Sequence, residues 1–175
     1  ARGLVGGLDR PQGAQEASGP EPSFRPGMLA AGIALVFGYV LAVAAAKYRI
    51  LVHVIAVLSN HYHLVITDPR AELPAFLQYL DSLVARAMNA SYGRWESFWA
   101  PGSFSGVVLA GSEDVVEKCA YALANPVAAG LSASGCEWPG LWSPPEAVGT
   151  AWRAFQRPAH FFSADGSMPE RAVLE

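Results

Sequence analysis

The sequence ILVHVIAVLSNHYHLVIT at residues 50–67 contains two runs rich in Val and Ile, joined by Ser59-Asn60. Such residues favour strands because their branched side chains pack well on a pleated surface. Two residues between the runs match the length of the shortest hairpin turns. The sequence therefore predicts antiparallel strands over residues 50–58 and 61–67, joined as a β-hairpin.

Two later segments predict helices. Residues 74–92 place apolar side chains at helical spacing and precede Gly93, a residue type common just after a helix end. Residues 112–124 predict a further helix, which should stop before Asn125-Pro126 because the residue before proline avoids helical backbone. A short strand is expected between these helices, over residues 104–109.

An uncharged run of 19 residues occupies positions 28–46. It is nearly long enough to span a bilayer, so a membrane anchor is one interpretation. Nine of the nineteen residues are Ala or Gly, however, and a strand-like run follows almost at once. Small and bulky side chains also form two separate stripes at helical spacing, which favours a helix buried inside a soluble protein. The order helix, hairpin, helix, strand, helix indicates an α+β fold with antiparallel strands.

Composition limits the classes of function. The chain has 175 residues, enough for one domain with a real core. Its formal net charge of −3 disfavours a strong grip on duplex DNA but permits single-strand binding by stacking. Cys119 and Cys136 form no CxxC pair and suggest free thiols in a reducing cytoplasm.

The two ends differ from the middle of the chain. Residues 1–27 are rich in Gly and Pro without any period of 2 or 3.6, which predicts a disordered or aberrant leader. Residues 28–146 are expected to form the functional domain. Residues 147–175 are expected to form a C-terminal tail that wraps the surface.

His61 and His63 are separated by one residue on a predicted strand. Strand side chains alternate, so both imidazoles should lie on one face and Tyr62 on the other. Two neighbouring imidazoles make half of a metal site, although two half-buried histidines bonded to the backbone fit the pattern as well. A cupin-like metalloenzyme would need further ligands and an all-β chain. The only other histidines are His53 and His160.

Glu117, Tyr121 and Asn125 are spaced four apart, so they share one face of the predicted helix over residues 112–124 and its end. A phenol one turn from an amide could present a nucleophile and a third metal ligand together. The alternative is a tyrosine packed at the rim of the core and an asparagine that ends the helix.

Two strings carry a resemblance to a known family. LSNHYHLV at residues 58–65 resembles the His-hydrophobic-His signature of single-tyrosine HUH transposases, in particular the REP-associated branch. YALANPVAAGL at residues 121–131 is similar to the Y-x-x-x-N-P-V-x-A-G-L segment that carries their nucleophile. The motifs stand in the family's order, with His63 and Tyr121 58 positions apart.

The resemblance implies a ferredoxin-like antiparallel sheet with helices on one face, the HUH endonuclease fold. It makes His61, His63 and Asn125 ligands of Mg²⁺ or Mn²⁺ and Tyr121 the nucleophile, with Glu117 as a possible accessory residue. The implied activity is transposase-like cleavage and rejoining of single-stranded or hairpin DNA through a 5′-phosphotyrosine. The protein would act in the cytoplasm as a monomer or homodimer.

Two departures from the family favour an alternative, a decayed copy that only binds DNA. Family members start with a strand, and none is visible in residues 1–27. Ala128 stands where the family often has Arg.

Stacking on DNA bases is a further hypothesis. Arg94 and Trp99 are candidate DNA contacts because aromatic residues follow Arg94 closely, although aromatics at this density also suit a core. The aromatic residues in question are Trp95, Phe98, Trp99 and Phe104.

Overall fold

The computed structural model describes residues 3–7, 26–58, 60–99, 105–148, 153–159 and 166–174. Its centre is the hairpin of β2 (Leu51–Val57) and β3 (Tyr62–Thr67), which pair antiparallel as the sequence predicts. The Leu58 N–H donates to the His61 carbonyl over 2.9 Å and closes the turn.

Two more strands complete a four-stranded sheet in the order β2-β3-β1-β4. Strand β1 (Gly3–Gly7) lies between β3 and β4 (Ser105–Leu109) and pairs antiparallel with both. The prediction of a leader without structure over residues 1–27 is therefore wrong for Gly3–Gly7. Three of its five residues are glycine, so the segment shows no alternation, and its strand state depends on ladder bonds to distant partners. Residues 8–25 lie outside the described part of the chain.

Helices cover both faces of this sheet. α1 (Pro26–Tyr48) and α2 (Leu73–Tyr92) pack on the face that carries Tyr62, Leu64 and Ile66 of β3. α3 (Ser112–Ala128) packs on the opposite face, where Ala122 joins a buried cluster with Val54, Val65 and Leu109. The predicted mixed α and β fold with antiparallel strands is confirmed, but the placement of all helices on one face is wrong for α3. The reason is that β3 is apolar on both faces, with Val65 fully buried opposite Leu64.

The uncharged run is the middle of α1, which extends from Pro26 to Tyr48. Tyr39, Val40, Leu41, Ala42 and Ala44 have no exposed surface, so this part of the helix is enclosed by protein as the small-residue stripe predicts. Within the residues that the structure describes, none of the helices has the length and apolarity to cross a membrane.

The C-terminal segment contains a second sheet that the sequence did not predict. β5 (Arg153–Gln156) and β6 (Arg171–Leu174) pair antiparallel and pack on α1. Their inward residues, Phe155 and Ala172, are buried in the main core. Strands of only four residues show too little alternation of apolar and polar side chains to be identified from the sequence. Burial against α1 stabilises them in the structure.

Gly38 of α1 allows this close packing, and it supports a paired prediction. A Cβ at Gly38 would lie 2.2 Å from Cε1 of the buried Phe155, closer than atoms can approach. We expect Gly38→Ala to destabilise the protein by about 1–3 kcal/mol through overpacking. Gly32 on the same helix has open space around its Cα, so Gly32→Ala should stabilise by roughly 0.5–1 kcal/mol. Urea denaturation measures the free energy of unfolding of both variants. If both substitutions changed it in the same direction, the described packing of β5 on α1 would be contradicted.

The end of α3 also differs from expectation. The helix does not stop before Asn125-Pro126 but continues through buried Pro126 to Ala128. The Asn125 carbonyl accepts from the Ala129 N–H, and the Pro126 carbonyl accepts from the Leu131 N–H, both over 2.9 Å. Pro126 therefore removes one backbone N–H donor from the last turn of α3. Its burial and the hydrogen bonds accepted by the Asn125 and Pro126 carbonyls keep the backbone helical.

Candidate active site

His61 and His63 lie side by side at the end of the β2-β3 hairpin. Their ring centroids are 4.9 Å apart, and both rings are half-buried. Tyr62 points to the opposite face, where it is 1% exposed and packs on Phe37. The alternation inferred from the sequence therefore places both imidazoles on the face that α3 covers.

Tyr121 of α3 lies beside the second of these imidazoles, that of His63. Its ring centroid is 5.5 Å from that of His63, in an edge-to-face arrangement at 82°. The Tyr121 side chain is 56% exposed. The fold thus joins two motifs that are 58 positions apart, and it leaves the phenol accessible to a substrate.

Asn60 fixes the orientation of His61. The Oδ1 of Asn60 lies 2.8 Å from Nδ1 of His61. An amide oxygen only accepts hydrogen bonds, so Nδ1 carries the proton and donates it, which leaves the lone pair on Nε2. This tautomer suits a metal-binding histidine, whose second nitrogen is typically held by an oxygen acceptor. From the sequence, Asn60 is a turn residue within the family-like string and is not assigned to the site, although its place next to His61 is the available clue.

The remaining residues of the α3 motif lie one turn on either side of Tyr121. Asn125 is half-buried one turn later, and Glu117 is exposed one turn earlier. Glu117 forms an ion pair with Lys118, with 3.4 Å between Oε1 and Nζ. Lys118 Nζ in turn lies 5.8 Å from the Tyr121 ring centroid. Lys118 was missed in the sequence, where its spacing of three from Tyr121 was the available clue.

The donor set decides which metal site these residues could build. The described part of the chain contains no cluster of three or more His, Cys, Asp or Glu side chains suited to a metal. The two neighbouring imidazoles of His61 and His63 are the part of the predicted ligand set that the structure brings together. Asn125, the third predicted ligand, lies one turn after Tyr121 on α3.

The two candidate DNA contacts have other partners in the structure. Arg94 pairs with Glu96, with Nε 3.1 Å from Oε2. Trp99 donates its indole N–H to the Asp81 carbonyl over 2.9 Å and packs edge-on against Tyr62. Trp99 also lines a small cavity of about 30 Å³ that reaches His61, so its role is at least partly structural. Among the aromatic residues that follow Arg94 in the described part of the chain, Trp95 is the most exposed, at 91%. Phe104 lies outside the described residues.

Asp81 anchors the strand that carries the histidines. The Tyr62 hydroxyl donates to Asp81 Oδ1 over 2.8 Å. Burial raises the pKa of Asp81 from 3.8 to about 6, and the hydrogen bond from Tyr62 lowers it only in part. Because the pKa is higher in the folded protein than in the unfolded chain, ionisation of Asp81 lowers the free energy of unfolding. This loss of stability is absent below about pH 4, where the carboxyl is protonated in both states, and complete above about pH 6.

Asp81→Asn should therefore stabilise the protein at neutral pH. The amide is never charged, and its oxygen still accepts from Tyr62. We expect a gain of about 1–3 kcal/mol at pH 7.5 that vanishes near pH 4. Urea denaturation at the two pH values measures it. A loss of stability at pH 7.5 would show that the charged carboxylate helps to hold Tyr62.

Comparisons with known proteins agree with the resemblance at the level of the fold. No protein-family model matches the sequence, and no curated protein matches it significantly. The structure is similar to that of a REP-associated tyrosine transposase bound to a REP hairpin, with a TM-score of 0.59, 13% identity, and coverage of 79% of this chain and 74% of that chain. A provisionally assigned transposase from Deinococcus radiodurans R1 matches 70% of this chain and 88% of that chain at 14% identity, with a TM-score of 0.39.

Proposed function

We propose that this protein is a transposase-like enzyme that cleaves and rejoins single-stranded or hairpin DNA through Tyr121. The observation that carries this proposal is the contact between Tyr121 and His63, whose ring centroids are 5.5 Å apart, with the ring of His61 4.9 Å from that of His63. A nucleophile beside potential metal ligands suits metal-assisted phosphodiester transfer.

The topology supports the same proposal. The elements run β1-α1-β2-β3-α2-β4, the sheet order is β2-β3-β1-β4, and α3 lies on the second face. This order supports the ferredoxin-like domain that we propose. The similar REP-associated transposase is bound to a REP hairpin, so a DNA hairpin is the first substrate to test. We expect the enzyme to meet this DNA in the cytoplasm, as a monomer or homodimer.

The proposed reaction has two balanced steps. Tyr121 Oη attacks the scissile phosphorus and loses its proton to solvent, while the bond from phosphorus to the 3′ oxygen breaks. The released oxygen takes a proton and becomes a 3′-hydroxyl, and the 5′-phosphate stays on Tyr121. Rejoining reverses these events with a 3′-hydroxyl as nucleophile. A phosphodiester is kept throughout, so no ATP is needed.

His61, His63 and Asn125 would hold the divalent ion. When bound, Mg²⁺ or Mn²⁺ would supply Lewis-acid polarisation of the phosphate. The Asn60 hydrogen bond keeps His61 in the tautomer that this role needs. The exposed position of the phenol lets DNA reach it from solvent. Nothing in this geometry favours a protein that only binds DNA.

The test is covalent trapping. The protein is incubated with an end-labelled hairpin oligonucleotide that has single-stranded flanks, in the presence of Mn²⁺, and run on a denaturing gel. A labelled band at the summed mass of protein and DNA strand is the expected result. Absence of that band from protein that binds the oligonucleotide would contradict the proposal.

A further inference from the structure

Lys118 is a charged residue of the candidate active site that the proposed reaction does not yet use. Its Nζ lies 5.8 Å from the centroid of the Tyr121 ring. The ring of His63 lies beside the same phenol, with 5.5 Å between the two ring centroids. Tyr121 is thus in contact with an imidazole and an ammonium group together.

The position of Lys118 suits a phosphate ligand. It precedes Tyr121 by three positions on α3, so both side chains leave the helix on one face. Its side chain is only 35% exposed, which limits the space that the ammonium group explores. A phosphate group approached by Tyr121 Oη would therefore come within reach of Nζ.

The partner of Lys118 in the free protein can be displaced. Glu117 lies 3.4 Å from Nζ, and its side chain is 75% exposed. An exposed ion pair of this kind is weak, because water and salt screen it. A DNA phosphate can take the place of the carboxylate, and the carboxylate itself repels the DNA.

We propose that Lys118 binds the scissile phosphate of the DNA and that Glu117 competes with the phosphate for it. This inference rests on the proposed function, since it assigns the phosphate to the site of Tyr121. Lys118 acts on binding and on the transfer step, because negative charge on the phosphate grows as the phenol attacks. Glu117 then lowers the affinity for DNA and is not a ligand of the metal ion.

The experiment measures binding of a fluorescent hairpin oligonucleotide by anisotropy over a range of NaCl concentrations, with EDTA present. Lys118→Gln should weaken binding about 3- to 10-fold at low salt. The logarithm of the association constant falls linearly with the logarithm of the salt concentration. Lys118→Gln should make this slope shallower by roughly 0.7, the value for one phosphate contact on a single strand. Lys118→Arg should retain the slope. Glu117→Gln should tighten binding about 2- to 5-fold.

Arg70→Gln is the matched control, since it removes one exposed cation beyond the far end of β3. It should leave the slope unchanged. Single-turnover cleavage at saturating DNA adds a second readout, in which Lys118→Gln should be about 10- to 100-fold slower. An unchanged slope and an unchanged cleavage rate for Lys118→Gln would overturn the assignment of Lys118. Weaker binding by Glu117→Gln would overturn the competition.

These outcomes are separable from failure of the proposed function. If the wild-type protein forms no covalent adduct, the proposed reaction fails while the anisotropy series still tests the phosphate contact. If the wild-type protein forms the adduct and Lys118→Gln matches it in slope and rate, only the role of Lys118 is refuted.

Discussion

Replacing Tyr121 by phenylalanine is expected to abolish the covalent protein–DNA adduct and to lower strand cleavage at least a thousandfold. Phenylalanine keeps the ring that packs edge-on against His63, so the fold should be preserved. It lacks the oxygen that attacks phosphorus, and removal of a nucleophile costs several orders of magnitude in rate. Denaturing gels with oligonucleotides labelled at the 5′ or the 3′ end measure adduct and cleavage together.

Tyr79→Phe is the control for this substitution. Tyr79 lies on α2, on the face of the sheet opposite α3, and its hydroxyl contacts Met168. Adduct formation by this variant should equal that of the wild type. Persistence of the adduct in Tyr121→Phe would remove Tyr121 from the nucleophile role.

Replacing His61 by alanine is expected to reduce metal-dependent cleavage by about two to four orders of magnitude. The substitution removes one of two neighbouring imidazoles, so an ion in the site would lose a ligand while Tyr121 remains in place. Cleavage assayed over a Mn²⁺ titration measures the effect, and higher Mn²⁺ should restore part of the activity. EDTA should stop cleavage by the wild-type protein.

His53→Ala provides the matched control for the loss of an imidazole. His53 lies on β2 away from the turn that holds His61, and its Nε2 is 2.8 Å from Thr67 Oγ1. The variant should lose a hydrogen bond and about 1 kcal/mol of stability, yet cleave at the wild-type rate. Cleavage that is indifferent to EDTA, or equal sensitivity of both histidine variants, would be incompatible with a metal role for His61.

The hairpin and the long helix could be predicted because their patterns are local. Branched residues and a two-residue connection identify β2 and β3, and apolar spacing with Gly93 after the end identifies α2. In the same way, alternation placed His61 and His63 on one face. These features depend on residues close in sequence, where pattern and structure are directly linked.

Other features depend on tertiary contacts that no local pattern records. Gly3–Gly7 is a strand only because β3 and β4 lie on either side of it. Likewise Pro126 remains helical because its ring is buried, and β5 needs α1 to cover Phe155.

The site itself shows the same division. The motif spacing placed Tyr121 and Asn125 on one helix face, but only the packing of α3 against the second face of the sheet brings Tyr121 to His63. The structure also shows that Trp99 is held by Asp81 while Trp95 is exposed, a difference that composition cannot give.

The central claim is that Tyr121 attacks DNA at a site shared with the two histidines. Peptide mapping by mass spectrometry tests it most directly, after the trapped adduct has been digested with nuclease and protease. We predict a nucleotide attached through its 5′-phosphate to the peptide that contains Tyr121. A nucleotide attached to any other residue, or attached through a 3′-phosphate, would contradict this account.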